Sequence, residues 1–154
     1  MDLTDLLLIS AIVIIIYMSV NYLFALWRRD NSLADIAWGP GFLLVAAVSL
    51  WFSGNETVRQ WVVLLLVAAW GLRLAIRIYR RNRGKGEDFR YQKWRQEWGR
   101  NWILRSYLQV FLLQGLFMWL IAFPVVVISS NSTNSLGWLD FAGISLCLTG
   151  FFFE

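Results

Sequence analysis

The chain has 154 residues, of which 58% are hydrophobic and 16% charged, with mean hydropathy +0.55 and a formal charge of +4. Water-soluble domains run to roughly 45–50% apolar and about 25% charged residues, so this composition excludes an ordinary soluble core and points to an all-α membrane protein. There is no histidine and a single cysteine, which excludes an internal disulfide and the commonest general base, and leaves no basis for a metal site.

A bilayer core asks for about 20 consecutive apolar residues per helix, and runs of that length set the expected spans. Asp2 and Asp5 stand where a signal peptide would carry basic residues, and residues 6–27 read as a first span. Arg28-Arg29-Asp30-Asn31 forms a polar turn. Residues 36–55 read as a second span closed by Ser53-Gly54-Asn55-Glu56, and 57–77 as a third, with Arg59 near its start and Arg73 near its end. Residues 106–128 read as a fourth span kinked at Pro124. After the loop Ser129–Ser135, residues 137–154 start a fifth, in which Cys147 reads as a small buried hydrophobe. Leu146–Phe153 shows no glycine at a cap and no proline or cation to end a helix. The chain therefore reads as one helical transmembrane domain over 1–154 and as the N-terminal fragment of something longer. Two glycosylation sequons, at Asn55 and Asn131, fall in the same set of loops as the N-terminus.

Charge is concentrated. Of 14 Lys and Arg, eleven lie between Arg73 and Arg105. With Arg28 and Arg29, 13 fall on one set of loops, and Arg59 alone falls on the other. The positive-inside bias then predicts an integral, multi-pass protein with its N-terminus outside and its basic loops cytoplasmic. About five transmembrane helices are expected, plus one interfacial amphipathic helix.

Within the basic segment, Arg73, Arg77 and Arg80 or Arg81 recur at helical spacing. A charge inside a span costs about 2.5–3.5 kcal/mol on insertion scales and faces a partner or a wet cavity; the alternative is that these side chains snorkel to the interface. Asn82-Arg83-Gly84-Lys85-Gly86 leaves the helix, and its glycines and cations suit a phosphate, although it matches neither a P-loop nor a Rossmann turn. Glu87 and Asp88 open the next helix, where acids complement the dipole. Tyr91, Trp94, Trp98 and Trp102 then form a stripe spaced 3, 4 and 4, read as a membrane anchor. The charges are not interleaved with these rings, which argues against a nucleic-acid partner.

At the entrance to the second span, Ser32 followed by Asp35 resembles a capping box, a reading that accounts for Asp35 without function. Gly39-Pro40-Gly41 predicts a broken, cavity-lining turn beside Asp35 and Trp38.

Four strings carry a family resemblance: Asp35-x-x-Trp38-Gly39, Trp70-Gly71-Leu72-Arg73-Leu74, Arg83-Gly84-Lys85-Gly86-Glu87-Asp88-x-Arg90-Tyr91, and Gly150-Phe151-Phe152-Phe153-Glu154. Together they resemble the DUF1295 membrane proteins, related to steroid 5-alpha-reductases and more distantly to sterol reductases and isoprenylcysteine carboxyl methyltransferases. The resemblance implies an NADPH-dependent reduction of a carbon–carbon double bond conjugated to a carbonyl in a lipid or steroid-like substrate. It implies Asp35 and Trp38 as catalytic residues. Arg73, Arg77, Arg83, Lys85, Arg90 and Tyr91 are implied as the cofactor-binding set, since arginine suits phosphate. Such reductases use an acid–tyrosine pair on the second and third spans; Asp35 corresponds to the acid, while the third span offers Trp70 and Arg73 in the tyrosine's place. The Arg-His-Pro-x-Tyr-type motif of the cofactor pocket is absent, so further C-terminal helices are expected and this segment by itself should not catalyse. The competing expectations are an S-adenosylmethionine-dependent methyltransferase, disfavoured by the density of arginines, and a non-enzymatic membrane module.

Overall fold

The computed structural model describes residues 1–54, 56–133 and 135–153. Asn55, which the second span and the first sequon include, and Glu154, which closes the expected fifth span, lie outside the described residues. The described chain folds into helices α1 (Leu3–Arg28), α2 (Leu33–Ser53), α3 (Val58–Asn82), α4 (Phe89–Trp98), α5 (Trp102–Arg105), α6 (Leu113–Ser129) and α7 (Trp138–Phe153). A 3-10 turn, Gly99–Asn101, joins α4 to α5, and a π-helical stretch, Ser106–Leu112, joins α5 to α6.

Four runs are long and apolar enough to cross a membrane: Leu3–Arg28, Leu33–Ser53, Val58–Asn82 and the continuous helical run Phe89–Ser129. The expected fifth span is present as α7, but its 16 residues rise only about 24 Å at 1.5 Å each, short of a hydrocarbon core about 30 Å thick. The interfacial helix and the fourth span, expected as separate elements, are one run. Gly99, at φ 50°, interrupts it, and α4 with four charged residues in ten lies outside the spanning part.

Helices α1, α2 and α6 are apolar all round, so hydropathy alone does not show which of their faces is buried. Packing selects it. On α1 the buried stripe is Leu6, Ser10, Ile14, Met18, Tyr22 and Ala25, at spacings of four and three. Ile12, Ile16, Val20 and Leu23 point out, each more than half exposed, as lipid-facing side chains do. The central helix is α2, packed against α1, α3 and α6, and most of its buried residues are small: Ala34, Ala37, Gly39, Gly41, Ala46, Ser49 and Ser53, beside Phe42, Val45 and Leu50. Small residues let backbones approach where lipid supplies no hydrophobic drive between helices. The closest approach pairs Gly39 with Gly71 on α3. A Cβ on Gly71 would stand 2.5 Å from the Gly39 carbonyl oxygen, and a Cβ on Gly39 would run into that of Gly71.

This approach corrects the reading of Gly39-Pro40-Gly41. The helix is not broken there; Pro40 sits inside continuous α2. The glycines serve packing: Gly39 admits α3, and a side chain on Gly41 would strike the Met118 thioether of α6 at 2.5 Å.

Hydrogen bonds sort the loops into two ends. At one end the turn after α1 bonds directly to the segment before α4, through the Asn31 amide to Glu87 at 2.8 Å and the Asp88 amide to Ser32 Oγ at 2.8 Å. At the other end Gln60 donates to the Ser129 carbonyl at 2.7 Å, and Arg59 to the Ser135 carbonyl at 3.0 Å. A capping box does occur at this second end. Thr57 and Gln60 start α3 with reciprocal bonds of 3.3 and 2.9 Å, which buries the Thr57 of the first sequon.

Candidate active-site cleft

Asp35 is one turn into α2. The capping reading fails for it: Ser32 makes no side-chain cap, because its hydroxyl is taken by the Asp88 amide. The Asp35 carboxylate turns instead toward α4. It accepts a hydrogen bond from the Tyr91 phenol at 2.7 Å on Oδ1 and one from the Arg90 guanidinium at 3.1 Å on Oδ2. Arg90 also reaches both oxygens of Asp88, at 3.0 and 3.2 Å. Asp88 caps α4 through the Arg90 amide at 3.0 Å, as an N-cap carboxylate does.

Above this cluster opens a cleft of about 560 Å³ between α2, α3, α4 and α6, lined by Asp35, Trp38, Leu74, Arg77, Ile78, Arg81, Arg90 and Gln114. Trp38 Nε1 donates to Gln114 Oε1 at 3.0 Å, and Gln114 Nε2 approaches the Tyr91 hydroxyl at 3.4 Å. The floor is thus one connected polar group: carboxylate, phenol, amide and indole. Leu74 and Ile78 form an apolar wall, and three arginines surround the mouth.

Electrostatics follow from this arrangement. The hydrogen bond from Arg90 is the leading cause that holds the Asp88 carboxyl below the usual carboxylate range. Burial, then the charge of Asp35, push the Tyr91 phenol above its ordinary value of 10.0. Tyr91 is therefore a protonated hydrogen-bond donor across the physiological range and not a base.

The expected site residues separate into groups. Asp35, Trp38, Arg77 and Arg90 line the cleft, and Tyr91 bonds to its floor. Arg73 faces the other way, lining a separate groove with Ile76, Arg77 and Arg80 and donating to the Phe151 carbonyl of α7 at 2.8 Å. Arg83 is the exposed residue that ends α3. Lys85 lines a shallow depression with Arg81, Asn82 and Glu87. Gln114 and Ile78 were not singled out from the sequence; Arg81 was marked only among the cations at helical spacing, and Leu74 only within a family string. An amide in an apolar span was the one available signal for Gln114. The aromatic stripe is likewise divided. Tyr91 is buried in the core, 3% exposed, and Trp98 packs against that core, whereas Trp94 is 38% exposed. It is not a single membrane-facing row, because Gly99 breaks the helix between Trp98 and Trp102. Cys147, expected to be buried, is half-buried on α7.

A polar, arginine-rimmed cleft at one end of a bundle of membrane-length helices is a candidate site in an integral membrane protein. The family model described as "Protein of unknown function (DUF1295)" matches residues 21–154, and the chain belongs to that family. No curated protein and no solved structure matches it.

Proposed function

We propose that this chain is the N-terminal part of an NADPH-dependent membrane reductase that acts on a carbon–carbon double bond conjugated to a carbonyl, in a lipid or steroid-like substrate, with the basic loops cytoplasmic. The observation that carries this reading is the Tyr91–Asp35 hydrogen bond of 2.7 Å at the floor of a cleft rimmed by Arg77, Arg81 and Arg90. The acid–tyrosine pair that the reductase resemblance calls for has its acid on α2 and its phenol on α4, instead of on a third-span tyrosine.

The donor set fits the cofactor. Three guanidiniums beside an apolar wall suit phosphate oxygens next to a flat ring system. Arg77, Arg81 and Arg90 would hold the phosphates, with Arg73, Arg83 and Lys85 contributing to the field around the mouth. When bound, the nicotinamide supplies the hydride. The chain's own residues supply the rest. Reduction of an enone places negative charge on the carbonyl oxygen, and a preorganised donor lowers that barrier. The Tyr91 phenol keeps its proton, which it donates to Asp35 while accepting from Gln114; it becomes the donor to the substrate oxygen by turning that one O–H from Asp35 to the carbonyl. Arg90 adds positive charge beside it. Trp38 and Leu74 exclude water from the floor.

Binding measurements on the full-length protein in detergent micelles test the proposal. NADPH should bind more tightly than NADH or S-adenosylmethionine, and Arg77→Ala should weaken NADPH at least tenfold. Binding of S-adenosylmethionine alone would turn the reading toward a methyltransferase. Binding of none of the three would leave a non-enzymatic membrane module.

A further inference from the structure

The proposed function does not use Glu87, yet Glu87 is the most enclosed acid of the basic segment. Its side chain is 8% exposed. Oε1 accepts the Asn31 amide at 2.8 Å and Arg95 Nη2 at 2.7 Å. Arg95 is itself fixed: it donates to the Arg29 carbonyl at 3.3 Å, and its guanidinium lies over the Trp102 ring at 4.2 Å. Asn31 is 1% exposed and donates to Ser106 Oγ at 3.0 Å. Glu87 therefore joins the α1–α2 turn to both ends of the segment that runs into α6.

The spacing of these bonds is regular. Asn31 pairs with Glu87, Ser32 with Asp88, and Asp35 with Tyr91, and each pair is 56 residues apart. The start of α2 and the start of α4 thus run side by side in one register. Asn31 and Ser32 immediately precede α2, Glu87 and Asp88 immediately precede α4, and Asp35 and Tyr91 are each the third residue of their helix. Fixing 87 on 31 and 88 on 32 at the two helix entries brings 91 onto 35 in the first turn of each helix. A slip of one residue would rotate α4 by about 100° at 3.6 residues per turn and carry the phenol away from the carboxylate.

We propose that Glu87 is a positioning residue: it sets the register in which α4 delivers Tyr91 to Asp35, and so builds the floor of the cleft. Glu87 fits this role better than Asp88 because its charge is enclosed and held by two donors from different parts of the chain, whereas Asp88 serves its own helix and Arg90. The inference rests on the Asp35–Tyr91 pair being the working centre, but its test needs neither cofactor nor substrate, so the two fail separately.

The test replaces Tyr91 with fluorotyrosine in the full chain and follows the ring by fluorine NMR over a pH titration. In the wild-type background the ring should titrate late, as a buried phenol beside Asp35 does. Glu87→Ala should move the resonance and bring the titration down toward that of free fluorotyrosine. Glu87→Gln keeps an oxygen for the Asn31 amide and should restore much of the wild-type signal. Glu97→Ala, at an exposed acid on α4 itself, should leave the signal alone. An unshifted signal in folded Glu87→Ala overturns the proposal, as does an equal shift in Glu97→Ala. If Glu87→Ala does not fold, Glu87→Asp withdraws the carboxylate from the Asn31 amide; a partial shift supports the proposal and a wild-type signal overturns it.

Discussion

Two arginine–aspartate pairs sit at opposite ends of the bundle, and their surroundings make them different objects. Arg59 on α3 grips Asp140 on α7 through two bonds of 2.8 Å and also holds the Ser135 carbonyl. Arg90 on α4 grips Asp35 on α2 at 3.1 Å. The first pair is a fastening. With Arg73 on the Phe151 carbonyl, it ties both ends of α7, which has no buried residue of its own, to α3. The second pair shares its carboxylate with a buried phenol, stands beside an amide and an indole, and opens on a cleft. An ion pair at a membrane end satisfies two charges wherever it forms. It becomes a candidate site when neutral donors converge on the same carboxylate and a hollow remains beside them.

The change expected to break the comparison most strongly acts on both ends at once. Gly39→Leu drives a side chain into the Gly71 backbone, and overpacking of this kind costs about 1–3 kcal/mol or more. Thermal unfolding in detergent should show a lower midpoint, and α2 and α3 should separate enough to disturb both pairs. Asp35→Ala is more selective. It strands the buried Tyr91 hydroxyl at a cost of about 1–3 kcal/mol and should abolish any reduction of an enone, measured as NADPH consumption by the full-length protein. Tyr91→Phe keeps the ring packing and loses one hydrogen bond, worth about 1 kcal/mol; turnover should fall far more than thermal stability.

Arg59→Ala sharpens the contrast from the other side. Amide hydrogen exchange over residues 138–153 should speed up, while NADPH affinity stays at its wild-type value. The smallest effect expected is at Asp88. Its carboxyl lies below the ordinary range in the folded protein, so its contribution is present above the ordinary carboxylate value and is lost as pH falls through the folded value. In Asp88→Asn, which keeps a capping side chain, the acid-side fall in unfolding midpoint should be shallower than in the wild type.

The sequence by itself determined the membrane class and the concentration of charge, and marked four long runs among the five spans it led one to expect, because length, apolarity and charge are properties of consecutive residues. It also marked Asp35, Trp38, Arg77, Arg90 and Tyr91, all of which the fold brings to one cleft. It misread Gly39-Pro40-Gly41 as a break, because a glycine that admits a neighbouring helix and one that ends its own helix look alike until the neighbour is placed. It assigned Tyr91 to a membrane-facing stripe for a related reason: a spacing of 3, 4 and 4 defines a face but not what the face meets. The alignment of α2 with α4, the turning of Arg73 toward α7 and the joining of Gln114 to Trp38 were decided only by tertiary structure. Each depends on residues far apart in the chain whose pairing is fixed by backbone approach and buried hydrogen bonds, neither of which is written in the local pattern.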